Sequence, residues 1–173
     1  MLTIHAAPGH AAAIAAIDEL LAKQRIEHLF VGGAARAAWL GGLLDIGPVD
    51  VLGLMQAQQM NNVAMMAGHR GFHVDRDEVQ RTEELDLVPL MFDEVRVHVL
   101  VASNALYARM FGAAQTALCG EREIRVPAAE DLALLLTMSE DGDGVRRLSA
   151  RPEFDRAAYN RKLTSIGLGA LVV

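Results

Sequence analysis

The chain has 173 residues, of which 52% are hydrophobic and 22% are charged, and its net charge is −6. A chain of this length and composition can bury a sizeable core, which excludes disorder over most of the length. The acidic balance and the lack of a Lys/Arg cluster argue against non-specific binding to nucleic acid and favour a small ligand or a protein partner.

Helical and strand-like segments alternate along the first half of the chain. In order they are an amphipathic helix that follows Pro8 and ends near Ile26, the short buried strand HLFVGG, the Ala-rich helix AARAAWL, the strand VDVLGL, the helix QAQQMNNVAMMAGHR and the strand GFHVD. Apolar residues at helical spacing predict the helices, and short apolar runs bounded by turn residues predict the strands.

The second half opens with RDEVQRTEE, which is typical of a solvated loop. The strands LDLVPLMF and VRVHVLVA, joined by Asp93–Glu94, predict an antiparallel hairpin. The remaining segments are the helix NALYARMFG with Asn104 as its cap, the strand EREIRVP, the helix AAEDLALLLTM, the loop SEDGDG, and the helical segments VRRL and EFDRAAYNRKLTSIG.

This order of elements predicts a mixed α/β (α+β) fold with helices flanking a mixed β-sheet. We expect a single domain over residues 1–173, with a sheet-containing core in residues 1–126 and a helical C-terminal part in residues 127–173. We expect LFVGG and VDVLGL to be neighbouring central strands, with the hairpin in the same sheet, because these are the most apolar strand candidates.

The C-terminal helices are expected to form one layer. AAEDLALLLTM and EFDRAAYNRKLTSIG should pack together, with Leu132, Leu135 and Leu136 facing the core.

Two glycines, Gly32 and Gly33, separate a strand from a helix. Glycine lets the backbone approach a ligand closely, and the free N–H groups at the start of a helix attract anions. The pair alone is a weak signal, because such pairs also form tight turns without a ligand, and neither G-x-G-x-x-G nor a P-loop is present. Arg36, one turn into the helix, either reaches an anionic ligand or marks the exposed face of that helix.

Asp50 is an acid in an otherwise apolar strand. Metal-assisted phosphoryl transfer needs several carboxylates around one or two Mg²⁺ ions, commonly two acids at i and i+2 on one strand. Two residues before Asp50 stands Pro48, which cannot bind a metal, and Asp45 has the wrong spacing. Asp50 therefore either faces solvent at the edge of the strand or holds a cation.

The order of these motifs resembles the nucleotidyltransferase superfamily, especially its minimal bacterial members and those of abortive-infection toxin–antitoxin pairs. In that family a strand leads through a Gly-Gly or Gly-Ser turn into an Ala-rich helix. An Arg-x-Thr-x-Asp-x-Asp strand follows, a later V-D-L-L strand supplies a third acid, and an S-P-E-D-L segment opens a helix. The similar segments here are HLFVGGAARAAWLGG, VDVLGL, VRVHVLVA and IRVPAAEDLALLL, and the likeness spans roughly Ala15 to Leu168.

The resemblance implies a set of site residues. Gly32 and Gly33 match the glycine turn and, with Arg36, would bind a nucleotide. Asp50 matches the second acid of the Asp-x-Asp pair and would be the remaining catalytic and metal-binding acid. His98 stands at the position of the third acid, where it could bind Zn²⁺ beside Asp50 or serve as a hydrogen-bonded core residue.

The departures from the family pattern concern its catalytic chemistry. Pro48 stands where the first acid is expected, Leu44 where the Arg is expected and Ile46 where the Thr is expected. A leucine within LALLL replaces the usual lysine. One carboxylate has too little negative charge to hold Mg²⁺ together with nucleotide phosphates, so the resemblance implies weak Mg²⁺ binding.

Three functions are open. The first is a nucleotidyltransferase-like protein with impaired or lost transfer (a pseudoenzyme) that acts as a nucleotide-binding or regulatory and interaction domain, with a nucleoside triphosphate or a protein as partner. The second is an active Mg²⁺-dependent enzyme of the toxin–antitoxin type that uses Asp45, Glu94 or acids of a partner chain. The third is an unrelated α/β structural or interaction protein.

The location is expected to be cytoplasmic. Cys119 is the only cysteine, which excludes an intrachain disulfide, and core packing is its favoured use. The first residues lack the basic region of a signal peptide, and no apolar run approaches the length of a membrane span.

Overall fold

The computed structural model describes residues 1–82 and 85–168. The strands are β1 Leu2–Ala6, β2 Glu27–Phe30, β3 Leu43–Leu44, β4 Val49–Leu54, β5 Phe72–His73, β6 Leu87–Phe92, β7 Val95–Val101, β8 Gln115–Cys119 and β9 Arg122–Val126. The helices are α1 Pro8–Lys23, α2 Gly32–Leu40, α3 Met60–Gly68, α4 Arg76–Thr82, α5 Ala105–Met110, α6 Ala129–Met138, α7 Gly142–Ser149 and α8 Arg156–Ser165.

A five-stranded mixed sheet contains the strands that the sequence analysis singled out. Its order is β2-β4-β7-β6-β5. β4 pairs with β2 in antiparallel register and with β7 in parallel register, and β6 and β7 form the expected hairpin. The predicted neighbours Leu29 and Val51 therefore lie in one sheet, on paired strands. The expectation that both strands are central was wrong for β2, which lies at the edge of this sheet.

The two faces of the five-stranded sheet differ in character. One face packs against α1 and α3 and is built from fully buried valines, among them Val49, Val51, Val97 and Val99. Because side chains alternate along a strand, Asp50, His98 and their same-side neighbours point to the opposite face. We call this opposite side the second face.

A second sheet of four strands, in the order β3-β1-β8-β9, has no counterpart in the sequence analysis except β9. β1 pairs in parallel with both β3 and β8. Three of these strands escaped prediction. β3 has only two residues, β1 lies in a short Ala-containing segment before α1, and β8 directly follows a 3₁₀ turn. The core position expected for Cys119 is confirmed, since the residue is buried at the end of β8, and burial raises the pKa of its thiol.

The C-terminal helices pack as a layer, as expected. α6 contacts both α7 and α8, and Leu132 and Leu136 are buried in the main core. Leu135 differs from the prediction. It is only half-buried and packs against a smaller apolar cluster on the second face of the five-stranded sheet, while Leu134 is fully buried instead. The helical turn around Leu135 therefore faces the same side of the sheet as Asp50.

RDEVQRTEE is not a simple loop, because α4 occupies Arg76–Thr82. The loop prediction was wrong for that stretch. The side chain of Asp75 accepts hydrogen bonds from the backbone N–H groups of Asp77 and Glu78, at 2.9 and 3.1 Å, and so supplies a helix start. Glu83 and Glu84 lie outside the described residues. In the ranges that the structure describes, none of the helices has the length and apolar character of a membrane span.

Asp18 joins three elements. Its carboxylate accepts a hydrogen bond from Arg122 of β9 at 2.6 Å and lies 3.0 Å from Nε2 of His28 in β2. Burial raises the pKa of Asp18, but the hydrogen bonds with His28 and Arg122 outweigh burial and hold the pKa below its ordinary value. The ionised carboxylate is therefore more stable in the folded chain than in the unfolded one.

This network makes the stability of the fold depend on pH. Since the folded pKa of Asp18 is lowered, its contribution is present at neutral pH and is lost as the pH falls below about 4 toward the folded pKa. We expect Asp18→Asn to lower the melting temperature at pH 7 and to flatten the loss of stability on acidification. Thermal unfolding at a series of pH values measures both. Asp45→Asn, at an exposed loop position, is the matched control, and an equal effect of the two variants would contradict the assignment.

Candidate functional site

Asp50 and His98 form a hydrogen-bonded pair on the second face. They occupy matched positions on the parallel strands β4 and β7, and Nδ1 of His98 lies 3.0 Å from Oδ1 of Asp50. An ionised carboxylate can only accept, so His98 donates its Nδ1–H and leaves Nε2 available on the other side of the ring. Both side chains are about a quarter exposed, at 24% for His98 and 23% for Asp50, so solvent or a ligand can reach them.

Gly32 lies directly against the carboxylate of Asp50. A Cβ at Gly32 would be 2.2 Å from Oδ2 of Asp50, and the backbone there has φ +53°, in the left-handed region. The N–H of Val31 donates to the backbone carbonyl of Asp50 at 2.9 Å, which holds this turn against β4. Gly32 is thus required for two reasons, the backbone angle and the close approach. The start of α2 also favours the negative charge of Asp50.

The segment before β4 lacks the polar and charged side chains that the family resemblance expects there. Leu44, at the position where the family resemblance expects an Arg, is buried, and its Cδ1 lies 3.0 Å from the Cβ position of Gly33. Ile46, at the expected Thr, is 82% exposed. Pro48 is half-buried and directly precedes β4. None of these three side chains can bind a metal or a phosphate through a charged group.

Arg36 has a structural partner. Its guanidinium pairs with the carboxylate of Asp141, which also caps α7 by accepting a hydrogen bond from the N–H of Gly144 at 2.9 Å. Arg36 therefore ties α2 to α7, and it would have to leave Asp141 to bind an anion. Its role in nucleotide binding stays a prediction.

Arg96 is a candidate residue that the sequence analysis missed. It lies two residues before His98 on β7, so the alternation along the strand places both side chains on the second face. Arg96 is exposed, and within residues 1–82 and 85–168 no carboxylate pairs with it. The alternating pattern of VRVHVLV contains the signal, because it puts a cation beside the position that matches a family acid.

A two-ion Mg²⁺ site does not fit these residues. Mg²⁺ prefers an octahedral shell of oxygen ligands, and the pair offers one carboxylate and one imidazole. The part of the chain that the structure describes contains no group of three or more His, Cys, Asp or Glu side chains that could hold a metal ion. Asp45 and Glu94, the alternative acids, are exposed and do not complete such a group with Asp50.

Comparison with solved structures supports one fold. The chain resembles ANT(2'')-Ia in complex with adenylyl-2''-tobramycin with a TM-score of 0.60 and 12% identity, over 91% of this chain and 97% of that chain. It resembles the lincosamide antibiotic adenylyltransferase LnuA, lincomycin-bound, with a TM-score of 0.51 and 12% identity, over 78% of this chain and 92% of that chain.

A third similar structure is an antigenic nucleotidyltransferase-like protein from Paracoccidioides brasiliensis, with a TM-score of 0.51 and 11% identity, over 94% of this chain and 88% of that chain. No protein-family model and no curated protein sequence matches the chain. At these identities the likeness concerns the fold, and the fold is nucleotidyltransferase-like.

Proposed function

We propose that this chain is a nucleotidyltransferase-like protein that has lost nucleotidyl transfer and has kept its site for binding. The observation that supports this most strongly is the hydrogen bond between Asp50 and His98. It stands where the family resemblance expects two metal-binding acids to converge.

The geometry of the pair supports the loss of transfer that we propose. Oδ1 of Asp50 accepts a hydrogen bond from His98, and Oδ2 lies against the backbone of Gly32. A donated N–H at one oxygen and a packed backbone at the other leave little room for a cation. The pair also supplies an imidazole where the family resemblance expects a second carboxylate, which lowers the attraction for Mg²⁺. Mg²⁺ binding is therefore weak, and the transferred phosphoryl group has no pair of ions to stabilise its charge.

The remaining features suit a binding role. The pair is accessible, Gly32 and Gly33 bring backbone close to it, and Arg96 adds a cation on the same face. The structural neighbours act as adenylyltransferases or are described as nucleotidyltransferase-like, so a nucleotide is the ligand class that their likeness favours. We further propose a cytoplasmic bacterial protein with a regulatory role of the toxin–antitoxin kind, as the family resemblance implies.

Restoring the missing acids tests the charge argument. We expect Pro48→Asp combined with His98→Asp to tighten Mg²⁺ binding at least about tenfold, a change of about 1.4 kcal/mol, because three carboxylates would then converge on one point. Position 48 lies two residues before Asp50, on the same side of the strand. Calorimetric titration with MgCl₂, and the Mg²⁺-dependent rise in melting temperature, measure the change.

The matched control adds the same two negative charges elsewhere. Leu43→Asp with Ile46→Asp changes two exposed positions, one in β3 and one in the turn before β4, and should leave Mg²⁺ affinity unchanged. In parallel, the wild-type chain is incubated with each nucleoside triphosphate and Mg²⁺ and assayed for pyrophosphate release. Robust Mg²⁺-dependent turnover that Asp50→Ala abolishes would overturn the proposal and establish an active enzyme.

A further inference from the structure

An apolar pocket of about 200 Å³ adjoins the Asp50–His98 pair on the second face. Leu52 and Leu100, each two residues beyond a member of the pair, line it, and they are themselves paired across β4 and β7. This volume is below the roughly 300–1,000 Å³ of pockets that enclose a whole small molecule. A pocket of this volume can hold one ring system of a larger ligand.

The walls of the pocket suit a flat ring with a polar edge. Val31 and Leu135 add apolar surface, and the half-buried Tyr107 adds an aromatic ring that can stack on another ring. Asp86 also lines the pocket; it is half-buried, and no hydrogen bond to its carboxylate occurs among the described residues. An ionised carboxylate can only accept, so it selects a ring that carries N–H donors.

Arg96 lies at the other side of the pair. Along β7 the order on this face is Arg96, His98, Leu100, with about 13 Å between the first and last Cα at about 3.3 Å per residue. The second face therefore presents three zones in a line: a cation, an imidazole whose Nε2 is free to bond a hydroxyl, and an apolar pocket with an acceptor in its lining.

We propose that these three zones bind a nucleoside monophosphate with an amino-bearing base, without a metal ion. The base occupies the pocket, the sugar hydroxyls contact His98 and the phosphate pairs with Arg96. This inference rests on the proposed function, since it assigns the ligand of the same site.

The charges favour a monophosphate over a triphosphate. One arginine can balance a single phosphate, whereas a triphosphate brings more negative charge close to Asp50 and normally arrives with Mg²⁺, which this site does not suit. An arginine also holds a phosphate in a bidentate contact that needs no metal. Asp86 accepts from the exocyclic amino groups of adenine, guanine or cytosine, whereas uracil has no amino group and offers only its ring N3–H.

Calorimetric titrations in EDTA test the ligand. We expect AMP, GMP and CMP to bind the wild-type chain, UMP to bind more weakly, and Mg²⁺ to bring no gain. Arg96→Gln should weaken monophosphate binding at least about tenfold and leave adenosine binding unchanged, because only the charge-assisted contact is lost. Arg161→Gln, an exposed arginine of α8 far along the chain, is the charge-matched control and should have no effect.

Two further variants separate the pocket from the phosphate contact. Leu100→Gln should weaken AMP and adenosine together, and Asp86→Asn should remove the preference for AMP over UMP, with folding checked by thermal unfolding. Absence of monophosphate binding at millimolar concentration, or an equal effect of Arg96→Gln and Arg161→Gln, would overturn this inference. The proposed loss of transfer would survive that outcome, because pyrophosphate release by the wild type and the acid-restored Mg²⁺ affinity test it separately.

Discussion

Gly32→Ala is expected to destabilise the fold by about 2–4 kcal/mol and to break the Asp50–His98 hydrogen bond. Two costs combine. Alanine at φ +53° loses about 1–2 kcal/mol relative to glycine, and its Cβ would lie 2.2 Å from Oδ2 of Asp50, a distance that real atoms do not adopt. The carboxylate must then rotate away, which leaves Nδ1 of His98 without its acceptor. Denaturant unfolding measures the first effect, and the NMR shift of the His98 ring nitrogens reports the second.

Gly41→Ala is the matched control for backbone strain. Gly41 has φ +73° and ψ −176°, a backbone region that is essentially restricted to glycine, and no atom lies within 4 Å of its Cβ position, so the substitution incurs strain alone, about 1–3 kcal/mol. A double-mutant cycle isolates the contact with Asp50: in the Asp50→Ala background, Gly32→Ala should cost nearly as little as Gly41→Ala. Equal costs for Gly32→Ala with and without the Asp50 carboxylate would contradict the close approach.

Leu134→Asp should unfold the chain at room temperature. Leu134 is fully buried in α6, so the new carboxylate would lie in the core without a partner, at a cost above about 4 kcal/mol against a typical total stability of 5–15 kcal/mol. Circular dichroism and the loss of a cooperative thermal transition would show it.

The neighbouring positions of α6 provide a graded control for that substitution. Leu135→Asp should cost less, because Leu135 is half-buried beside the second face, and Met138→Asp should cost about 1 kcal/mol or less, because Met138 is 49% exposed. If Leu135→Asp proved more damaging than Leu134→Asp, the orientation of α6 would be wrong.

The sequence predicts the five-stranded sheet well because that sheet is made of long apolar strands. β4, β6 and β7 each have six or seven residues with strong apolar content, and β2, the antiparallel neighbour of β4, ends just before a glycine pair. The four-stranded sheet was harder to predict. β3 is too short to show a period, and β8 follows a 3₁₀ turn without a clear boundary in the sequence. Such strands are specified by pairing with distant segments rather than by local pattern.

The position of the candidate site could be predicted, but much of its surroundings could not. The family resemblance puts Asp50 and His98 at matched acid positions, and the structure places them side by side, whereas their roles stay a prediction. The partner of Arg36 could not be foreseen, because Asp141 lies more than 100 residues further along the chain. The pocket at Leu52 and Leu100 likewise needs the parallel pairing of two strands that are far apart in sequence. Contacts of this kind depend on topology, which a single sequence specifies weakly.

The division between the two faces of the five-stranded sheet has a consequence for how such a chain can change over generations. Val49, Val51, Val97 and Val99 point to the core and are completely buried, while their immediate neighbours Asp50 and His98 point the other way. Substitutions at Asp50 and His98 therefore leave the valine packing of the same strands untouched, and stability restricts these two positions less than their buried neighbours. A lineage can thus lose one activity and acquire another while the fold is kept, because the polar positions of each strand can change without changing its buried valines.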